Sequence, residues 1–402
     1  MSEWKETELR GLINHKKGFA FKSATYKDSG RLIVRVSDTT SNSIDINSCV
    51  RIDEIIASNY KDYELSTGDI IIMTVGSWPD NPASVVGKVI CVPTNADKAL
   101  LNQNAVRIRG KGKINKYLYY RLKNNDFSGY IVNNAQGSAN QASITLEDIF
   151  SFKFNLPSEK EQCSIASILS SLDDKIDLLH RQNATLEALA ETLFRQWFME
   201  EAMEDWKNVD LEYITKRITD GSHSSPPTIG NGLPMASVKD MHTWGININS
   251  CRKISKFDFD ELIRNDCRPL KNDIVIAKDG SYLKHVFVAP EDLNVVILSS
   301  IAILRPNGKY NPLLLTTYLK MDSTIGQLEN IVSGAVIPRI VLKDFRKFKI
   351  QLPPIEIQNK ALKFIEPIYH KCWQNINQIR TLTTLRDTLL PKLMSGEVRV
   401  KM

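Results

Sequence analysis

The chain has 402 residues, 42% hydrophobic and 24% charged, with a net charge of +6; this is the profile of a soluble globular protein long enough for two or three domains. No apolar run reaches the roughly 20 residues that cross a bilayer, and Met1-Ser2-Glu3-Trp4-Lys5 lacks the pattern of a secretory leader, so no membrane is expected among the partners. The six cysteines (49, 91, 163, 251, 267, 372) form no C-x-x-C pair and have no histidine at ligand spacing, which excludes a disulfide framework or structural zinc and points to a reducing, cytoplasmic setting.

Residues 1–155 read mainly as strands. Arg31–Val36, Asp69–Thr74, Val85–Val92 and Ala105–Arg109 are β-branched runs bounded by Gly, Pro, Asn or Asp, and Lys116–Lys123 reads as one helix. The connections carry polar side chains suited to a nucleic-acid surface. Gly76-Ser77-Trp78-Pro79-Asp80-Asn81 is followed by Gly87-Lys88: a glycine turn with a small polar residue, an aromatic and a lysine suits close approach to a sugar-phosphate backbone. Gln136-Gly137-Ser138-Ala139-Asn140-Gln141 carries amides that can pair with adenine in the major groove. Arg35 and Ser37, at the end of the first strand run, join Ser77, Trp78, Lys88, Gln136, Ser138, Asn140 and Gln141 as candidate DNA contacts. The bland alternative for any one of them is a routine polar hairpin loop.

Leu156-Pro157 opens a long amphipathic helix. Ile165, Leu172, Leu179, Leu186 and Leu193 recur every seven residues at d, and Leu169, Ile176, Asn183, Ala190 and Trp197 fall at a, the spacing of a coiled-coil seam. Ser158 and Glu161 stand at capping-box distance. About 40 residues at about 1.5 Å each predict a rod of roughly 60 Å.

The same order then recurs. Trp4-Lys5 returns as Trp206-Lys207, Val36-Ser37-Asp38 as Val238-Lys239-Asp240, the Asp69 strand as the Asp273 strand, Leu146-Glu147-Asp148 as Leu342-Lys343-Asp344, and Leu156-Pro157 as Leu352-Pro353. Strands are expected at Ile274–Ala277, His285–Ala289, Val295–Leu304 and Phe348–Leu352, with a helix near Pro312–Met321. Lys239, Lys278, Ser281, Tyr282, Lys284 and Arg339 are the candidate DNA contacts of this half. A second long helix carries Ala361, Ile368, Asn375, Leu382 and Leu389 at d and Ile365, Cys372, Ile379 and Arg386 at a; Pro367 and Pro391 are expected to kink or bound it. Antiparallel pairing that sets Asn183 opposite Asn375 makes all facing numbers sum to 558, with Arg386 opposite Leu172 as the poorest match, tolerable if the guanidinium reaches water.

The organisation is therefore a tandem α+β repeat: a globule at 1–155, a helix at 156–200, a globule at 206–351, and a helix with its tail at 352–402. The first globule carries 20 Lys and Arg against 16 Asp and Glu, the second 20 against 15, and the first helix 4 against 8, so two basic globules flank an acidic rod. There is no Walker loop, no dinucleotide glycine fingerprint, no Asn/Asp-Pro-Pro-aromatic methyltransferase motif, and no catalytic cluster that stands out. Two other function classes remain open to test: an enzyme with a cryptic or fused nuclease or methyltransferase activity, and a purely structural coiled-coil adaptor.

Leu156-Pro-Ser-Glu-Lys-Glu-Gln162 and the ending Leu385-Arg-Asp-Thr-Leu-Leu-Pro-Lys-Leu-Met-Ser-Gly-Glu-Val-Arg-Val400 resemble the specificity subunit of type I restriction–modification systems, as do Gly18-Phe-Ala-Phe-Lys-Ser23 and Ile218-Thr-Asp-Gly-Ser-His223. The second copy departs from the Glu-Gln pair of the first, with Ile357-Gln358 in its place. The resemblance covers essentially the whole chain. It implies two target-recognition domains separated by an antiparallel coiled coil, a bipartite double-stranded DNA target, and no catalysis by this chain. Its partners would be two methyltransferase subunits and restriction (motor-nuclease) subunits, and S-adenosylmethionine would be held by the methyltransferase rather than here.

Overall fold

A computed structural model describes residues 4–40, 42–78, 85–138, 141–203, 205–280, 284–333 and 338–400. The chain divides into two compact units, one made of 1–176 with 381–402 and the other of 177–380. The divisions fall inside the two long helices, so each unit is a globule together with a stretch of each helix.

In the first unit the central sheet is antiparallel, with strands β1 (Ile13–Lys17), β2 (Ile70–Met73), β3 (Val89–Cys91) and β4 (Ala105–Gly110) in the order β1-β4-β2-β3. Strand β2 explains the layering. Ile70, Ile71, Ile72 and Met73 are all fully buried, and strand alternation sends them to opposite faces. Ile70 and Ile72 join a core with the helices Asn115–Lys123 and Asn125–Asn134, and Ile71 and Met73 join a second core with Val34, Ile44 and Leu101. That second core lies under a four-stranded mixed sheet, Tyr26–Lys27, Val50–Ile52, Arg31–Val34 and Leu100–Leu101, whose last two strands run parallel. Two sheets therefore sandwich this second core, because β2 is apolar on both faces and needs cover on both.

The second unit repeats the plan. Strands β5 (Thr215–Asp220), β6 (Ile274–Ala277), β7 (Val286–Val288) and β8 (Ile301–Pro306) pair antiparallel in the order β5-β8-β6-β7. Ile274 and Ile276 face one core, Val275 and Ala277 the other. Leu233–Ala236 pairs antiparallel with Arg252–Ile254 and parallel with Val296–Ile297. The single apolar run at 295–304 is therefore two strands, one in each sheet.

Matching polar struts hold the copies. Asp69 and Asp273, 4% and 1% exposed, sit in the turns before β2 and β6; each accepts a main-chain N–H at 2.8 Å, from Ser66 and from Leu270. A two-pronged arginine closes each strut: Arg109 at 2.6 and 2.8 Å, Arg305 at 2.9 and 2.8 Å. Buried carboxylates need this full complement of donors, since an unpaired charge in a core is strongly unfavourable. Gly18 and Gly221 are equivalent in another way. A Cβ on either would lie 1.9 Å from the Asn102 carbonyl oxygen or 2.2 Å from that of Ile297, so only glycine lets the chain leaving β1 or β5 bridge to the second sheet.

The long helices are α1 (Glu159–Arg195), which ends in a π-turn at Gln196–Glu200, and α2 (Ile355–Ser395). At about 1.5 Å per residue, the 37 residues of α1 span roughly 55 Å. Pro367 and Pro391 do not bound α2, which runs through both. Each proline is exposed, as are Lys363 and Asp387 one turn before them, so a carbonyl deprived of its N–H partner can turn to water. In the second unit Asn375 Nδ2 donates to Asn183 Oδ1 at 2.7 Å, and Asn183 Nδ2 donates to the Cys372 carbonyl at 3.3 Å; Trp197 meets Phe364 at 6.1 Å between centroids. The helices are antiparallel in the register the sequence predicts. In the first unit Arg386 does not reach for open water: it pairs with Asp173 at 2.8 Å, and Asp173 also accepts from the Tyr120 hydroxyl at 2.8 Å.

The expected capping box is half formed. Glu161 N–H donates to Ser158 Oγ at 3.4 Å, but the Glu161 carboxylate is turned away, accepting Trp4 Nε1 at 3.0 Å and Arg399 Nη2 at 2.9 Å. The motif's acid thus ties the start and the end of the chain to the foot of α1, all within the first unit. The glutamines that follow are buried and turn back on their own prolines, Gln162 to the Pro157 carbonyl at 2.7 Å and Gln358 to that of Pro353 at 3.0 Å.

Candidate nucleic-acid interface

In the first unit the candidate contacts fall into two groups. Arg35, Ser37 and Lys88 gather around the turn Val36–Asp38. Arg35 forks onto the buried Asp38 at 2.9 and 2.7 Å and also donates to the Ser48 carbonyl; Ser37 Oγ donates to Asp38 at 3.1 Å. The hydrogen bonds to Asp38 hold the Arg35 guanidinium above its usual pKa. Lys88 is half-buried, with its ammonium on the Thr39 carbonyl and hydroxyl at 3.2 and 3.3 Å, and burial pulls its pKa down. This group is a folded corner whose cations are engaged internally.

The second group is a ribbon. Gln136–Ser138 pairs antiparallel with Gln141–Ser143, which pairs in turn with Val75–Gly76. Gln136, Ser138 and Gln141 are exposed. Trp78 is half-buried against the helical core and donates Nε1–H to the Ser138 carbonyl at 2.8 Å. Ser77 is bridged to Val85. Asn140, together with Pro79, Asp80, Asn81 and Ala139, lies outside the described residues.

In the second unit Lys278, 8% exposed, is held by Asp220 at 2.7 Å, and Asp220 also meets the exposed His223 ring at 3.2 Å. Main-chain bonds from Ile340 N–H to the Lys278 carbonyl (3.1 Å) and from Gly280 N–H to the Pro338 carbonyl (2.8 Å) bring the Lys278 loop to the strand Arg339–Ile340. Arg339 is exposed there. Lys239, in the turn Val238–Asp240, and Lys284 are exposed as well. Ser281 and Tyr282 lie outside the described residues. Sequence reasoning passed over Asp220 and His223, although Ile218-Thr-Asp-Gly-Ser-His223 had already marked the loop; an acid at a basic surface offered no signal until its lysine partner was placed. Ser143 was passed over too, because only pairing puts it on the face of Gln136.

Among the described residues no group of three or more His, Cys, Asp or Glu side chains is placed to hold a metal ion, and no helix is long and apolar enough to cross a membrane. The arrangement is thus two copies of one sheet-and-loop module, each presenting hydrogen-bonding side chains from loops braced by buried ion pairs. The family model described as type I restriction modification DNA specificity domain matches twice, at residues 1–188 and 203–383. The chain belongs to this family. It is a recognition subunit with two specificity domains in tandem, not the catalytic component of its system. Among relatives, the type I restriction enzyme MjaIX specificity subunit of Methanocaldococcus jannaschii is 27% identical over 310 residues, 72% of this chain and 70% of that one. The EcoBI specificity subunit of Escherichia coli is 24% identical over 441 residues, 98% of this chain and 86% of its own. The crystal structure of the type I S subunit from M. genitalium superimposes with a TM-score of 0.56 at 19% identity, covering 99% of this chain and 96% of that one; it shares the fold.

Proposed function

We propose that this specificity subunit reads a bipartite duplex target, one half-site per specificity domain, and docks methyltransferase and restriction subunits that carry out the chemistry. The observation that carries the reading is the duplication: the same sheet, strut and loop plan occurs twice, while the loops that would meet base edges differ between copies, Gly76-Ser77-Trp78 against Asp279-Gly280 and Gln136–Ser143 against Arg339. Two readers of one architecture with different loop chemistry suit a target with two unlike halves. Basic loop residues such as Lys239, Lys284 and Arg339 would hold phosphates, which position without specifying, and amides and hydroxyls would read base edges. The helix pair, its register fixed by Asn183 and Asn375, would set the unread spacer and offer its outer faces to the partner subunits. S-adenosylmethionine belongs, on this reading, to the methyltransferase.

Exchanging residues 206–350 for the corresponding domain of another family member, in a strain carrying the partner subunits, tests this directly. Methylation-sensitive sequencing of the host DNA should show one half of the modified motif altered and the other unchanged. A change in both halves together, or in neither, overturns the two-reader assignment.

A further inference from the structure

The ribbon Gln136–Ser143 of the first unit has two unlike faces. Cross-strand pairing sets Gln136 beside Ser143, Gly137 beside Ala142, and Ser138 beside Gln141. Since side chains alternate along a strand, Gly137 and Ala142 share one face and Gln136, Ser138, Gln141 and Ser143 the other. Ala142 is fully buried, so its face is the one turned to the body, and the other four residues are exposed. Gly137 lets the two strands approach: a Cβ there would stand 2.0 Å from the Gln141 carbonyl oxygen of the paired strand. The outer face therefore presents two amides and two hydroxyls and no charge; the Ser143 hydroxyl donates to the Gln136 carbonyl at 3.3 Å, so its oxygen faces outward as an acceptor. That composition suits base edges, which offer both donors and acceptors, and not phosphates, which call for cations.

Trp78 differs from these four. Its indole packs on the helical core, and its N–H is spent on the Ser138 main-chain carbonyl. We infer that the outer face of the ribbon, including Ser143, is the base-reading surface of the first specificity domain, and that Trp78 is a positioning residue that fixes its angle rather than a DNA contact. Two residues along each strand span about 7 Å at roughly 3.3 Å per residue, so the face matches about two base-pair steps. A two-stranded ribbon is one of the elements the major groove admits, and glutamine's paired bonds to adenine make A·T pairs the natural target of Gln136 and Gln141.

The inference rests on the DNA-reading function proposed above, and the test separates the two. The full-length subunit, co-expressed with its methyltransferase partner, is used to select from random duplexes. Gln141→Ala and Gln136→Ala should each relax preference at one base pair of one half-site, by on the order of ten-fold, and leave the other half-site as in the parent. Trp78→Phe, which keeps an apolar ring but loses the N–H, should blur the same adjacent pairs with no change in melting temperature or in affinity for unrelated duplex. Conversely, Trp78→Phe weakening all sequences equally would show a merely structural residue. A parent that selects a two-part motif while the ribbon variants select the same one refutes the inference and leaves the function standing. A parent that selects no motif refutes both.

Discussion

The buried amide pair in the helix seam makes a quantitative prediction. Asn183 and Asn375 are 3% and 0% exposed. Leucine branches at Cγ as asparagine does and is bulkier, so Asn183→Leu leaves the seam filled but strips Asn375 Nδ2 of its 2.7 Å partner and the Cys372 carbonyl of its 3.3 Å donor. Asn375 Nδ2 keeps Gln182 Oε1 at 2.9 Å, whereas its Oδ1 has no partner even in the parent. Stranding buried polar atoms costs about 1–3 kcal/mol per group, and the surviving Gln182 bond places the single variant at roughly 2 kcal/mol. For a unit of about 200 residues that lowers Tm by about 4–8 °C. Replacing both asparagines removes the mismatch along with the bond, and matched apolar replacement can be near neutral or stabilising. The double variant should therefore be more stable than Asn183→Leu alone, with a coupling of about 1–3 kcal/mol between the sites. Calorimetry on the four members of the cycle reads this out. A double variant that loses the sum of the two single losses would mean that the amides act independently and do not specify the register.

Two other features give sharp expectations. Burial, with His285 and His180 nearby, holds the His242 imidazole down at about 4, and its Nδ1 accepts the Trp244 N–H at 3.2 Å, which requires the unprotonated atom. A base with a depressed folded pKa stabilises the fold fully above its unfolded value near 6.5 and loses that contribution as pH falls toward 4; the second unit should lose about 3 kcal/mol across that window, and a His242→Asn variant whose stability still falls as steeply between pH 6.5 and 4 would rule the ring out as the source. Glu161→Gln keeps the shape but removes the charge that Arg399 and Trp4 share, and such charge-assisted bonds contribute about 1.5–3 kcal/mol; trypsin should release the C-terminal tail faster while the main sheet stays protected, and an unchanged cleavage rate would show that the tail is held by other contacts.

What could be read from the sequence follows from where the periodicity was strong. The heptads of α1 and α2 specify a seam, and the paired asparagines its register, because a polar residue in an apolar row fits one alignment only. The isoleucine run of β2 announced a buried strand but not that both faces needed separate cover. Strands β1 and β5 went unseen because Ile13–Lys17 and Thr215–Asp220 lie at sheet edges and are rich in polar residues, so neither carries an apolar alternation. The helices Asn125–Asn134 and Lys256–Arg264 went unseen for a related reason: each buries only two side chains. The prolines misled, since their effect depends on which face of α2 they occupy.

The polar residues divide more usefully than the candidate contacts alone suggested. Those repeated in both copies prove to be internal braces: Asp38 and Asp240 close the same turn on the main-chain N–H groups of Arg35 and Ser237, at 2.9 and 2.8 Å, and Asp69 with Arg109 matches Asp273 with Arg305. Ile46-Asn47-Ser48-Cys49 recurs as Ile248-Asn249-Ser250-Cys251, and in each the thiol donates to the carbonyl four residues back, at 3.5 and 3.3 Å. Residues that do not repeat stand on the exposed loops: the ribbon amides of one copy, Arg339 and His223 of the other. If, as proposed, the two copies fold alike but bind unlike sequences, they have to keep the first set and vary the second. Arg35 and Lys278, candidate DNA contacts by sequence, are paired with Asp38 and Asp220, and a cation already matched to an internal carboxylate has less charge to give a phosphate. Gln136 and Gln141 take part in no internal ion pair, and the Ser143 hydroxyl donates within the ribbon, to the Gln136 carbonyl; on the reading proposed above, the uncharged ribbon, rather than the basic corner, is the part of the first domain free to distinguish one base pair from another.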